Sequence, residues 1–309
     1  MLAGSSTLAA ASAYFNGQIL GGVFDNPQSF ITQSLMTDIT EKAKSARLQI
    51  TLATPALREW LGSKQIKSLR ALEQEILIKK YEKTIGVQRF DVENDRTGSV
   101  ISAMDRFIQQ IPDDVEQLLV NMLIANTALG YDGAAMLADS HSYSNSTGDN
   151  LTTSALGFET YRAGVQAMAL FCDESGRSLN IRPNILLVGP KQERIAKEIV
   201  GATRPVPFSA SAQDASSSIV AVTTIPNAFQ GECTVLVSNK ITGNQWFLFD
   251  TTKSVKPVIR AVAEELSPVL LDNRERSYVF VNDEYLFSAQ GYMGFGPGPW
   301  QLSYGSVTA

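Results

Sequence analysis

The sequence predicts an α+β fold, and three observations carry that reading. Apolar residues keep helical spacing from Val115 to Leu123 behind an opening proline, Pro112. A short apolar run, Ile185 to Val188, is followed by a second helical pattern over residues 191–200. Beyond Gly231 the chain turns to strand-like runs over 234–238, 246–250, 258–264, 278–281, 285–289 and 301–304. Helices and strands that segregate along a chain in this way point to α+β architecture.

Each element follows from local chemistry. Residues 1–41 hold no Lys or Arg, yet they carry Tyr14, Phe15, Ile19, Leu20, Val23, Phe24, Phe30 and Ile31. No long period links them, so an extended arm with one short helix over 27–39 is expected. So many large apolar side chains have no use in a free tail, so the arm must pack on something. Residues 42–72 carry helical patterning, with Pro55 opening a turn after Thr54 and Leu57, Trp60 and Leu61 at i, i+3, i+4. Residues 73–92 switch to strand character. Ile76 and Ile78 form one run, Ile85 and Val87 alternate in a second, and a turn near residues 79–83 would join them as a hairpin. The main helix is expected over 112–129. Pro112 suits its first position, Asp113, Asp114 and Glu116 suit the positive end of its dipole, Asn126 is a break in its stripe, and Gly130 stops it. Residues 138–154 read as a loop, 157–171 as a helix, and 209–218 as a polar surface loop.

Composition narrows the function. With 309 residues, 44% hydrophobic and 18% charged, the chain can bury a core and is not globally disordered. The net charge of −5 speaks against a polycation that coats nucleic acid. No apolar run approaches the ~18 residues of a membrane span, so no membrane partner is expected. The first basic residue is Lys42, so the N-terminus lacks the basic region of a signal peptide. Cys172 and Cys233 are the two cysteines, which excludes a disulfide framework and suits a reducing compartment. His141 is the one histidine. Histidine-rich zinc sites and two-histidine catalysis are thereby excluded, and no metal, cofactor or catalytic residue is expected.

Four motifs invite chemistry and fail on geometry. Asp139-Ser140-His141 has the residue types of a triad, but neighbours in one loop rarely bring nucleophile and base together, and no G-x-S-x-G elbow is present. Gly189-Pro190-Lys191 lacks phosphate-loop spacing, and Pro190 removes an N–H the cradle needs, so it reads as a helix start. The sequons at Asn145 and Asn150 read as loop composition. Asp91, Glu93 and Asp95 alternate in what reads as an extended, solvated stretch without calcium-loop spacing.

Charge is unevenly spread. Residues 58–89 carry eight basic and four acidic side chains, and residues 91–116 carry seven acidic and two basic ones. Ordinary surface patterning is one reading. The sharper one is a positive arm of one subunit on a negative face of the next, which would set register and encounter rate. The candidate contacts are Lys79, Lys80, Lys83 and Arg89 on the positive side, and Asp91, Glu93, Asp113 and Asp114 on the negative side.

Certain stretches then resemble a known family. Leu57-Arg58-Glu59-Trp60-Leu61-Gly62, the run from Tyr81 to Arg89, and Glu93-Asn94-Asp95 with Gly98 resemble the major head subunit of Mu-like bacteriophages. Tyr131-Asp132-Gly133 followed by Asp139-Ser140-His141 does so too, as do Gly294-Phe295-Gly296 and the stretch from Trp300 to Ser306. The resemblance runs in order over about residues 55–309. It implies an HK97-like capsid fold: an N-terminal arm (1–45), an extended hairpin loop region (46–98), and a peripheral domain (99–152, spine helix 112–129). An axial domain (153–250) and return strands of the peripheral domain (251–309) complete it. It implies a major capsid protein that self-assembles into hexamers and pentamers of an icosahedral head around double-stranded DNA, without sequence-specific contact. Portal, separate scaffold and decoration proteins are the implied partners, the host cytoplasm the place of assembly, and the virion the destination. No long charged helical leader precedes the arm, so a scaffold is expected as a separate protein. A nanocompartment shell of the same fold and a cytoplasmic hydrolase using His141 are the alternatives.

Overall fold

A computed structural model describes residues 3–20, 29–50, 59, 72–94, 98–143, 146–173, 176–201, 203–206, 223–273 and 275–308. Of the helical pattern expected over 42–72, residues 45–50 form a strand instead, as Ala46 and Ile50 are buried on it, and residues 51–58 and 60–71, like the polar loop expected at 209–218, lie outside the described residues. In chain order the elements begin with helices α1 (Ala3–Leu20) and α2 (Phe30–Leu35) and strands β1 (Met36–Thr40), β2 (Ser45–Ile50), β3 (Leu72–Leu77) and β4 (Lys79–Gln88). Helices α3 (Arg89–Glu93), α4 (Ser99–Gln109) and α5 (Ile111–Ala125) follow, then β5 (His141–Tyr143), β6 (Ser146–Gly148), α6 (Phe158–Leu170) and β7 (Ile185–Val188). Next come α7 (Glu193–Val200), β8 (Thr203–Val206), β9 (Thr223–Pro226), β10 (Thr234–Val237) and β11 (Trp246–Phe249). The chain ends with β12 (Val258–Leu271), α8 (Ser277–Asn282), β13 (Glu284–Pro297) and β14 (Ser303–Ser306). The chain divides into two compact units. One comprises Met1–Gln49, Glu73–Met122 and Val258–Gly296, and the other Ile50–Leu72, Leu123–Pro257 and Pro297–Ala309.

The first unit is built on a four-stranded sheet in the order β1-β12-β13-β4. β1 runs parallel to β12, with Asp38 opposite Arg260. The Arg260 guanidinium is buried and forks onto Asp38 at 2.9 and 2.6 Å, with Glu265 at 3.2 Å. Burial works to lower its pKa, but the Asp38 hydrogen bonds and the two carboxylate charges outweigh it and hold it raised. A planar fork suits such a site better than an ammonium. Over the sheet, α4 lays down Val100, Met104, Phe107 and Ile108, and α1 adds Ala11 and Phe15. Phe15 meets Phe107 and Phe287 with ring centroids 5.9 and 5.5 Å apart. Tyr14 donates to Asp105 and Ser12 to Asp272.

Five expectations change here. The first half of the arm is a helix packed on its own chain, because Ala-rich sequence favours helix and Leu8, Ala11 and Phe15 fall on one face. Residues 79–83 form no turn. They begin β4, which pairs antiparallel with β13 from Met293↔Lys79 to Glu284↔Gln88, while β3 pairs with β2 instead. Residues 278–281 are helical in α8, although Tyr, Val and Phe favour strands, because Val279 is buried and Asp283 closes the turn in a left-handed conformation (φ 54°). Asp91 and Glu93 likewise lie in α3 rather than an extended stretch. The helix expected over 112–129 spans Ile111–Ala125 and stops where Asn126 turns left-handed (φ 48°).

The second unit is built on a sheet in the order β10-β7-β11-β14. β7 is parallel to β10 and antiparallel to β11, and every residue of β7 and β11 is buried. Helix α6 contributes Tyr161, Val165 and Met168 to its core, and α7 contributes Ala196 and Ile199. Pro190 to Gln192 make a short 3₁₀ turn into α7. A Cβ on Gly189 would meet the Ile241 carbonyl oxygen at 2.3 Å, so close backbone approach explains that glycine without a phosphate.

A polar knot sits in this unit. Asn150 is fully buried. Its Oδ1 accepts from the Ala138 N–H at 2.8 Å and lies 3.0 Å from His141 Nε2, and its Nδ2 donates to the Met136, Trp300 and Ser303 carbonyls at 2.9, 3.1 and 3.2 Å. The His141 ring stacks on Trp300 with centroids 4.2 Å apart. A Cβ on Gly148 would lie 2.3 Å from the Trp300 ring, so only glycine admits this stack. Asn150 is thus a structural core residue, not loop composition.

Two outcomes are expected. Asn150→Ala should lower stability by about 3 kcal/mol or more in urea titration, since each buried group left unpaired costs about 1–3 kcal/mol. Cys233 is pushed up to about 11, first by burial, against a lowering hydrogen bond from Tyr161, with Glu232 raising it further. The folded chain therefore keeps this thiol neutral where the unfolded chain ionises. That stabilisation is complete below the ordinary thiol range and is lost as pH climbs through it towards about 11. Cys233→Ala should flatten the pH dependence of the denaturation midpoint across that window.

Candidate subunit interface

The charged surface is positioned by β4, α3 and the start of α5. Along β4 residues alternate: Tyr81, Lys83, Ile85 and Val87 are half-buried, while Lys80, Glu82, Thr84 and Gln88 are exposed. Among the described strands β4 has one neighbour, β13, so it is an edge. Lysines on an edge discourage pairing with a foreign strand.

Lys83 points back at its own chain. Its ammonium lies 2.7 Å from Asp114 Oδ2, donates to Gln110 at 3.2 Å, and sits 5.2 Å above the Phe107 ring. Beside it a groove of about 350 Å³ is lined by Tyr81, Val115, Leu118, Leu266 and Met293, among others. Burial raises the Tyr81 pKa above its ordinary value. Arg89 lies 2.6 Å from Asp283 as an ion pair, and its backbone N–H donates to the Asp283 carbonyl at 2.9 Å. Lys79 and Lys80 are exposed opposite Met293 and Tyr292, with Lys80 5.9 Å over the Tyr292 ring. Asp91 is exposed on α3, which Glu93 closes, and Asp113 is exposed in the first turn of α5.

Of the eight candidate residues, then, the fold brings together Lys83 and Asp114. Arg89 finds Asp283, a partner 194 positions on that no local pattern identifies. Gln110 escaped notice because it bears no charge.

The catalytic reading of residues 139–141 does not survive the geometry. His141 is fully buried, with Nδ1 2.6 Å from Asp132 and Nε2 against Asn150, while Ser140 donates to Asp139. Both ring nitrogens of the buried histidine are thus taken by Asp132 and Asn150, and the serine hydroxyl turns to Asp139 rather than to a base. Among the described residues no group of His, Cys, Asp and Glu could hold a metal ion, and no helix is long and apolar enough to cross a membrane.

The chain thus joins a unit built on a sheet of long strands to a second α/β unit. Known proteins share this arrangement. The fold is similar to the procapsid of bacteriophage JBD30 (TM-score 0.54, 19% identity, 97% of this chain and 75% of that one). It is also similar to the JBD30 capsid decorated with minor capsid protein trimers (TM-score 0.56, 20% identity, 70% of this chain and 92% of that one). These are HK97-like phage capsids, and the fold is of that kind. The family described as phage capsid protein matches residues 72–305, and the chain belongs to it. The major capsid protein of Escherichia phage Mu is 25% identical over 212 residues, which cover 66% of this chain and 64% of that relative's length.

The Lys83–Asp114 pair is exposed, with 30% and 58% of the two side chains accessible. A double-mutant cycle through Lys83→Ala and Asp114→Ala should therefore return a coupling of only ~0.2–1 kcal/mol in subunit stability.

Proposed function

We propose that this chain is the major shell subunit of a phage head. Copies form hexamers and pentamers of an icosahedral shell around double-stranded DNA. The observation that carries this is the capsid-family match across residues 72–305. A portal, a separate scaffold and decoration proteins are its partners, the last in keeping with the decorated JBD30 capsid. Assembly takes place in the host cytoplasm, and the product is the virion shell. DNA is packed without sequence-specific contact, as the net charge of −5 favours a lining without dense positive charge.

The regional reading belongs to the same proposal: arm 1–45, extended hairpin 46–98, peripheral domain 99–152 and 251–309, and axial domain 153–250. The β2–β3 pairing on either side of residues 51–71 supports the hairpin. The β10-β7-β11-β14 sheet supports the axial region, with β14 joining from the C-terminus.

Charge between subunits is proposed for Lys79 and Lys80 against Asp91, Glu93 and Asp113 of a neighbour. Lys83 and Arg89 already have partners within the chain. Electron microscopy of the expressed protein tests the main reading: closed shells that protect DNA in the cell support it, while shells filled with a protein cargo indicate a nanocompartment. For the charges, Lys79→Glu with Lys80→Glu should leave the subunit folded and slow assembly in light scattering. The difference from wild type should shrink with added salt, which screens over ~10 Å at 0.1 M. Equal rates at every ionic strength would exclude this electrostatic contact.

A further inference from the structure

The orientation of Asn150 fixes the hydrogens of the buried His141–Asp132 pair. Both side chains of that pair are closed to solvent. The Asn150 Nδ2 faces the Met136, Trp300 and Ser303 carbonyls, and its Oδ1 faces the Ala138 N–H. Turned over, the amide would set its oxygen against three carbonyls and its NH₂ group against an N–H. Oδ1 is therefore the acceptor, and His141 Nε2, 3.0 Å away, carries a hydrogen. The other ring nitrogen, Nδ1, lies 2.6 Å from Asp132 Oδ2. A second hydrogen has to lie between these two atoms, or two acceptors would face each other in a buried site. A neutral imidazole has one N–H and an ionised carboxylate has none. The arrangement thus holds one proton more than those two forms supply.

The surroundings say where that proton sits. Asp132 Oδ1 accepts the Ala134 N–H at 3.2 Å, which favours the carboxylate. The Trp300 ring lies parallel to the imidazole, 3° off and 4.2 Å away, and an indole face attracts a cation. Among the described residues His141 is the one basic side chain paired with Asp132. The other titratable groups on the surrounding segments are engaged elsewhere. Asp139 takes the Ser140 hydroxyl, Asp149 the Leu151 N–H and Asp173 the Arg177 N–H, while the Tyr131 hydroxyl is bonded to Gln301, the Cys172 thiol to the Leu170 carbonyl, and Tyr304 lies against Trp246. We propose that His141 is a buried imidazolium donating from both ring nitrogens, and that its pair with Asp132 is a proton latch closing the turn at residues 300–303 onto residues 132–150. Without the proton, a ring lone pair would face a carboxylate oxygen and the latch would open. The proposal does not depend on the shell reading.

Nitrogen-15 NMR of the full chain tests it, and the single histidine makes the signal unambiguous. At about pH 7.5, where an exposed histidine is mostly neutral, both ring nitrogens of the folded protein should carry a bonded hydrogen. Urea denaturation gives a second readout. Above the ordinary histidine range the unfolded chain releases this proton and the folded chain keeps it, so folding takes up a proton and stability falls as pH rises. Between about pH 7 and 8.5 the unfolding constant should climb towards about tenfold per pH unit, a window below the one expected for Cys233. Asp132→Asn can donate its amide hydrogen to a neutral ring, so it should fold, show one ring hydrogen and lose that climb. A wild-type ring with a hydrogen on one nitrogen alone would overturn the proposal, even if the variant failed to fold. A folded Asp132→Asn with the wild-type pH slope would overturn it too.

Discussion

One buried amide, Asn150, ties three separate stretches of the second unit together. Its two polar atoms reach residues 136–141 and the turn at residues 300–303 at once. The three carbonyls around Nδ2 and the N–H facing Oδ1 fix which way the amide points. That orientation presents an oxygen to His141, whose other ring nitrogen faces Asp132. The ring is then held flat on Trp300, and Trp300 sits where Gly148 leaves room. The amide and the imidazole are satisfied in this network, while the buried Trp300 Nε1 has no hydrogen-bond partner. The chain's one histidine is thus spent on architecture.

What could be read from the sequence is what local pattern encodes. α6, β7, α7, β10 and β11 bury faces whose periodicity lies within a dozen residues, and they occur where expected. α4 was equally legible, since Val100, Met104, Phe107 and Ile108 recur at helical spacing, yet the acidic side chains around it drew the eye to charge. α8 was not legible. Its Tyr-Val-Phe-Val run has strand propensity, and a single left-handed Asp283 decides against it. Nor could the pairing of β1 with β12 be read, because its fixing contact, Arg260 to Asp38, spans 222 positions.

The charge blocks show the same division. That residues 58–89 are basic and 91–116 acidic is plain arithmetic. Which charges meet depends on a fold that runs β4 along β13 and sets Lys83 beside α5. The chain satisfies part of its charge internally before any neighbour arrives, at Lys83 and at Arg89. The lysines that remain on the edge of β4 do two things. They discourage a foreign strand from pairing there, and they are the positive charge that the proposed contact with a neighbouring copy would use.

This arrangement separates strength from reversibility. Each unit is held by its own buried apolar cluster and by buried polar groups such as Asn150 and Arg260 that are bonded within it. The contacts proposed between copies are of another kind: exposed charges whose pairs are worth ~0.2–1 kcal/mol each. A closed shell repeats each contact many times, so weak contacts accumulate into a stable whole, while any one misplaced copy is held by few of them and can leave. Strong single contacts would trap errors at the step where they form. The physical demand on such a sequence is therefore a firm interior with a surface of contacts that are individually weak and geometrically specific, and Lys79 and Lys80, exposed on the edge of β4, are suited to it.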